Sequence, residues 1–319
     1  MATYTEFHIG VNDSEKRLDR VVRVFLGETP LSTIYKSIRT GNILINGKKK
    51  KPGYRVSEGD RIDIRDNLLP SNTGVYPEEN KTNEHFTFTN NILYENDDIL
   101  AINKPSGIKV HDGNNSLEAA VRNYLRAKLP ESLSFQPGPI HRLDRNVSGL
   151  ILFSKSIKGA REGAELFKNK AIEKYYIALC ENTVKKGGSI NSPLSRDKIR
   201  GMTEQKDSGV PAKTDYTPIV WSEGYTLLLI RIHTGRTHQI RAHMAHSGYP
   251  IVGDTKYGAK NDKNEILLHS WVIKFPDNCN ICDKNILYAP IYEKKAKRIA
   301  HILGFDSLGP LIDRMKNRI

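Results

Sequence analysis

Cysteine is scarce in this chain, three in 319 residues, which excludes a disulfide framework and points to a reducing compartment. Apolar residues never run together for long. A stretch such as Leu150-Ile151-Leu152-Phe153 stops far short of the roughly 20 residues that a bilayer-crossing helix needs. The opening Met1-Ala2-Thr3-Tyr4-Thr5-Glu6 has no basic segment leading into an apolar one, so no signal peptide is expected. Acidic side chains are in deficit: 36 Asp and Glu stand against 49 Lys and Arg, a formal net charge of +13. That balance, with an isoelectric point near 9.5, suits a polyanionic partner such as nucleic acid. An anionic membrane surface is the alternative, and without an apolar anchor no membrane partner is expected. The composition reads as a soluble cytoplasmic protein that handles nucleic acid.

What is present divides into four stretches. Residues 1–66 form a compact basic unit. In Leu31-Ser32-Thr33-Ile34-Tyr35-Lys36-Ser37-Ile38-Arg39 apolar residues recur at helical spacing, and Thr40-Gly41 ends the helix. Ile43-Leu44-Ile45 reads as a strand and Asn46-Gly47 as a tight turn. Lys48, Lys49, Lys50 and Lys51 follow, and Arg61-Ile62-Asp63-Ile64 alternates as a second strand. Residues 67–85 are poor in apolar content and read as a linker, joining modules expected to move relative to each other when no nucleic acid is bound. Residues 86–292 mix strands and helices without regular βαβ repetition, which predicts an α+β fold. The helices are expected at Leu117 to Leu129, Ile157 to Lys170 and Thr237 to Met244. Residues 293–319 are a basic tail with a helix broken near Gly304 and Gly309.

The chemistry concentrates in Gly138-Pro139-Ile140-His141-Arg142-Leu143-Asp144-Arg145-Asn146-Val147-Ser148-Gly149-Leu150. A single carboxylate sits between two arginines, after a histidine and before a Ser-Gly turn that opens an apolar strand. Arg-Leu-Asp-Arg alone proves nothing, because it occurs twice. At Arg17-Leu18-Asp19-Arg20 it precedes Val21, Val22, Val24 and Phe25 at helical spacing, so its charges are expected on a solvated helix face. Only the second copy has downstream partners: Lys174-Tyr175-Tyr176-Ile177-Ala178, Gly235-Arg236-Thr237-His238-Gln239-Ile240-Arg241, and Pro250 to Gly258. Asn103-Lys104-Pro105-Ser106-Gly107 lies upstream.

These segments, in this order, resemble the motifs of the RluA-type RNA pseudouridine synthases, and residues 1–66 resemble the S4 RNA-binding module. The resemblance implies a mixed, mainly antiparallel bent central sheet with flanking helices, preceded by a small S4-like domain. It implies Asp144, Tyr176 and Arg241 as catalytic residues. Asp144 would act as nucleophile on sugar or base, or as the base at C2′. Arg241 would pair with it, and Tyr176 would stack on the flipped uracil. His141, Arg142, Lys104, Arg236 and His238 would bind substrate. Arg17, Arg20, Lys36, Arg39 and the four lysines would grip RNA. Large-subunit ribosomal RNA is the expected partner, as in the RluC-like branch, with transfer RNA the alternative. No metal or cofactor is expected, because the base is reattached and the reaction is an isomerisation, and a monomer is the default expectation. Two departures stand out: Val147 occupies a position that is usually Thr in the family, and Val210 one that is often Lys.

Three rival readings compete. His233, His238, His243 and His246 with Cys279-Asn280-Ile281-Cys282 could suggest a metal enzyme, but a lone C-x-x-C gives two of four ligands and the histidines lack zinc-site spacing. A glycosidase needs a second carboxylate, and none stands out beside Asp144. A non-catalytic RNA-binding protein has no use for a carboxylate that repels phosphate.

Overall fold

The computed structural model describes residues 3–69, 88–113, 115–129, 132–197, 199–260 and 265–319. Residues 70–85 of the expected linker lie outside the described residues. The first unit begins with a strand that the sequence reading did not include, β1 (Tyr4–His8), followed by α1 (Leu18–Phe25), α2 (Leu31–Thr40), β2 (Ile43–Ile45) and β3 (Arg61–Arg65). The sheet order is β1-β3-β2. Val21 and Val22 of α1, Ile34 and Ile38 of α2, and Ile43, Ile45, Ile62 and Ile64 of the sheet are fully buried together. Gly41 closes α2 at φ +86°, a left-handed conformation in which a side chain is strained. Asn46 and Gly47 are likewise left-handed, at φ +53° and +72°. They form the expected tight hairpin turn, with Ile45 and Lys48 exchanging both backbone hydrogen bonds; the chain then runs on through the lysine loop, and β3 returns 14 residues later, where Asn46 Oδ1 accepts from the Arg61 amide.

The remainder is built on one ten-stranded sheet. Its strands are β4 (Ile92–Glu95), β5 (Ile99–Lys104), β6 (Gly138–Pro139), β7 (Ser148–Ser154), β8 (Glu173–Glu181) and β9 (Gly188–Asn191). After a separate hairpin of β10 (Leu194–Asp197) and β11 (Met202–Gln205) come β12 (Lys213–Ser222), β13 (Tyr225–Ile232), β14 (Leu268–Lys274) and β15 (Ile286–Tyr288). The main path runs β4-β5-β7-β14-β8-β13-β12-β9. Every neighbouring pair is antiparallel except β7 with β14, so the sheet is mixed and mainly antiparallel, as expected. Helices α3 (Leu117–Arg126), α4 (Ile157–Lys168) and α5 (Gln239–His246) fall within or near their expected spans. Ser116 and Ser156 cap α3 and α4 by accepting from the amides three residues on.

The last stretch is part of the fold rather than a hanging tail. Helices α6 (Glu293–Leu303) and α7 (Gly309–Lys316) bury Ile299, Leu303, Leu308, Leu311 and Met315 against Trp271, Val272 and Leu227 of the sheet. Its lysines disguise a regular apolar face. Nor do the two expected modules hang free of each other: Leu133, from the segment between α3 and β6, joins the apolar core of the first unit. Among the described residues no helix is long and apolar enough to cross a membrane.

Candidate active site

The centre of the sheet assembles the site. β7, β14 and β8 lie side by side, so the loop that enters β7 is brought next to Tyr176, which pairs with Ser270 and Ile230 across its two neighbours. That loop carries Asp144. Its turn is closed by the Val147 amide donating to Asp144 O at 3.1 Å. The Val147 side chain is buried in the core, so the position where Thr is usual is filled here by packing. Gly149 follows at φ +115°, and a Cβ there would lie 2.1 Å from Ser270 O. Only glycine lets β7 approach β14 this closely.

Asp144 meets a guanidinium and an imidazole. Arg241 Nη1 donates to its Oδ2 at 3.2 Å, and His238 Nε2 stands 3.7 Å from the same oxygen. Among the described residues Oδ1 has no hydrogen-bond partner. Arg241 is buried and is held from behind by Asp254, with Nε to Oδ2 at 2.6 Å and Nη2 to Oδ1 at 2.8 Å. This bidentate fork fixes the guanidinium plane. Burial works against the Arg241 charge, but Asp254 and Asp144 outweigh it and raise its pKa. His238 caps α5 in a left-handed conformation, φ +53°. Its Nδ1 is 2.9 Å from the Tyr257 hydroxyl, which also accepts from the Thr203 amide. Burial lowers the His238 pKa, with Asp144 opposing. Gln239 staples the loop before α5 by accepting from Thr234 Oγ1 and the Arg236 amide while donating to Lys213 O.

Asp144 lies where two cavities meet. One, of about 350 Å³, is lined by Tyr176, Leu143, Phe167, Lys174, Arg236 and Leu268 among others, a size that suits a small ligand. The other, of about 610 Å³, is cationic, with Lys109, Arg142, Arg145, Arg196 and Lys256 around Asp144. The first offers an apolar wall and a tyrosine ring. The second offers charges suited to a polyanion.

The expected site residues fall into two groups. Asp144, Tyr176, Arg241, His141, Arg142, Arg236 and His238 all line the first cavity. Tyr176 is itself buried, which pushes its hydroxyl up to about 12. His141 is a different matter from a phosphate ligand. Its ring stacks on Phe167 at 4.7 Å and its Nε2 accepts from the Leu152 amide. Burial, with Lys174 nearby, pushes its pKa down to about 3, so it is neutral. Lys104, expected to bind substrate, lines neither cavity. Fully buried, it donates to the carbonyls of Pro105, Ile108 and Arg145 at 2.9 to 3.0 Å. With Ser106 Oγ on Asn146 O and the Gly107 amide on Arg145 O, the Lys104 to Gly107 segment braces the Asp144 loop from behind. Burial brings its ammonium down to about 7.

In the first unit Arg20, Lys36, Arg39, Lys48, Lys49 and Lys51 are exposed and Lys50 is half-buried, with its ammonium 4.7 Å from the Tyr54 ring centre. The expectation of a solvated Arg-Leu-Asp-Arg face fails for Asp19. That side chain is buried between Arg17, at 2.7 Å, and the Tyr35 hydroxyl, so Arg17 is committed to an ion pair. Sequence reasoning missed Asp254, Tyr257 and Lys174 as site residues, although all three lie inside quoted motifs. The histidines serve separate purposes: His233 pairs with Asp215, and His243 with Thr214 and Ser192 O. Among the described residues no three His, Cys, Asp or Glu side chains gather as a metal site would require.

Comparison with known proteins agrees with this architecture. The family model for RNA pseudouridylate synthase matches residues 98–246, and that for the S4 domain matches residues 16–62. Ribosomal large subunit pseudouridine synthase C of Vibrio vulnificus (strain CMCP6) is 32% identical over 269 residues, covering 82% of this chain and 84% of that protein. Its Escherichia coli (strain K12) counterpart is 32% identical over 288 residues, covering 84% and 87%. The solved structure of human RNA Pseudouridylate Synthase Domain Containing 4 superposes with a TM-score of 0.57 at 21% identity, covering 68% of this chain and 94% of that one, a likeness of fold.

Proposed function

Because this chain belongs to the RNA pseudouridine synthase family and carries an S4 domain, we propose that it isomerises specific uridines of large-subunit ribosomal RNA with Asp144 as nucleophile. The reaction breaks the bond from C1′ to N1 of uridine and rejoins the base through C5. It consumes no external energy. The observation that carries the assignment is the asymmetric pairing of Asp144: Oδ2 is committed to Arg241 and faces His238, which leaves Oδ1 for the nucleotide. Arg241, clamped by Asp254, aims the carboxylate without crossing the cavity. Tyr176 stacks on the extruded uracil, and the cationic cavity receives the backbone on either side of it. Residues 1–66 act as the RNA-gripping domain and residues 86–292 as the catalytic one. The protein works as a cytoplasmic monomer without a metal. Large-subunit rRNA is supported by the names of the relatives in Vibrio vulnificus and Escherichia coli.

Mapping pseudouridine with a base-specific chemical label, in total RNA from cells with and without the gene, tests the substrate. Loss of discrete sites in large-subunit rRNA is expected, and loss confined to tRNA would overturn that choice. Asp144→Asn is expected to abolish product while RNA binding stays within about twofold, since no phosphate contact is removed. Residual turnover in that variant would sink the nucleophile assignment.

A further inference from the structure

Asp13 is fully buried although it is charged and lies in a loop of the first unit. Its partners lie 119 to 121 residues away, in the segment between α3 and β6. Ser132 Oγ donates to Oδ1 at 2.8 Å, the Leu133 amide to Oδ2 at 2.8 Å, and the Ser134 amide and hydroxyl to Oδ1 at 2.9 and 2.5 Å. Two neighbours extend the contact. Lys16 Nζ donates to Ser134 Oγ at 2.7 Å, and Asn12 Oδ1 accepts from the Ile157 amide in the first turn of α4 at 3.0 Å. Leu133, between the two serines, is inserted into the apolar core of the first unit. A carboxylate that takes four hydrogen bonds from one short segment is a shaped receptor, because each donor is fixed in direction and the charge has no water to fall back on. This contact is separate from the active site, and catalysis as described makes no use of it.

We propose that Asp13 latches the S4 domain onto the catalytic domain, making Asp13 a positioning residue that selects among RNA substrates. The idea rests on the reading that residues 1–66 grip the same RNA that Asp144 modifies. A domain swinging on a loose linker gathers RNA but leaves the target uridine free to sample many positions. A latched domain presents the lysine surface at one offset from Asp144. RNA that spans that offset is bound by two preoriented sites at once, and RNA of another shape is bound by one.

The test uses the full-length chain with two changes made separately, Asp13→Ala and Ser134→Ala, on opposite sides of the latch. Hydrogen exchange at the Leu133 and Ser134 amides reads the latch itself. Turnover is then measured on a long rRNA fragment and on a short stem-loop that fills only the catalytic cleft. Both variants are expected to lose amide protection and to raise KM for the fragment about tenfold, with kcat and both stem-loop parameters unchanged. Retained protection would show that Asp13 is no latch. Lost protection with an unchanged ratio of fragment to stem-loop KM would show that latching selects nothing; either result overturns the proposal. Absence of wild-type turnover on rRNA would instead refute the assigned substrate, and the exchange data would still judge the latch.

Discussion

The setting of Asp144 depends on a second carboxylate, which it does not touch. Asp254 is buried and holds two nitrogens of Arg241, whose third nitrogen holds Asp144. Replacing Asp254 with Asn keeps the shape but removes the charge that compensates a buried guanidinium. Thermal unfolding is expected to show a loss of about 3 kcal/mol, and single-turnover assays a fall of roughly 10²-fold in rate from misaimed groups. An unchanged rate would make the fork structural only. His141 and His269 give a second residue-scale expectation. Burial, with Lys174 near the one and Lys295 near the other, holds both pKa values near 3, below the 6.5 of an exposed imidazole. As pH falls from 6.5 toward 3 the unfolded chain takes up protons that the folded chain refuses, so stability present above pH 6.5 is lost across that interval. The Tm is expected to drop there, and His141→Gln, whose amide oxygen can still accept from Leu152, should flatten the slope. Asp144, Tyr176 and Arg241 were legible in the sequence because each sits in a contiguous motif. The burial of Lys104 was not, because a lysine beside Pro-Ser-Gly reads as a loop cation until the carbonyls of Ile108 and Arg145 close on it.

At the scale of elements, α6 braces the strand that follows the Asp144 loop. Lys295 of α6 is buried and donates to Ser148 Oγ at 2.7 Å and to the carbonyls of Ile266 and Leu268. Ser148 is the first residue of β7, and its hydroxyl also meets His269 Nδ1 at 2.9 Å. The helix therefore ties together the starts of the two parallel strands beneath Asp144. Lys295→Met keeps the aliphatic stem and removes the donors. It is expected to cost about 2 kcal/mol through the acceptors left unpaired, measured by urea unfolding, together with a lower kcat. Wild-type kcat would show that α6 stabilises the fold without tuning the loop. Strands with strong local alternation or apolar runs were readable, β7 and β13 among them. β1, β9 and the β10–β11 hairpin were not. Their residues are polar and half-exposed, and only pairing with distant partners makes them strands.

Across the whole molecule, excess positive charge is what draws RNA in. Lys48, Lys49, Lys50 and Lys51 occupy one loop of the S4 domain, projecting from a core that does not need them. Changing all four to Gln should leave the Tm near wild type and reduce the slope of log K against log salt by about 3, read in a filter-binding titration. An unchanged slope would remove this loop from the RNA surface. The two-unit organisation was visible from composition, through the apolar-poor stretch after residue 66. The contact between the units was not, because Asp13 and Ser134 carry no local pattern and meet only in three dimensions.

The tie from Lys295 to Ser148 spans 147 positions of the chain. During synthesis a nascent chain that has been made as far as Asp254 already contains Asp144, Tyr176, Arg241 and the carboxylate that clamps the arginine. It does not yet contain β14, the partner of β7, or the lysine that fastens the two strands. The loop that carries Asp144 is therefore completed late in translation, and the growing polypeptide adds about 150 further residues after Asp144 before the lysine that fastens its loop is made.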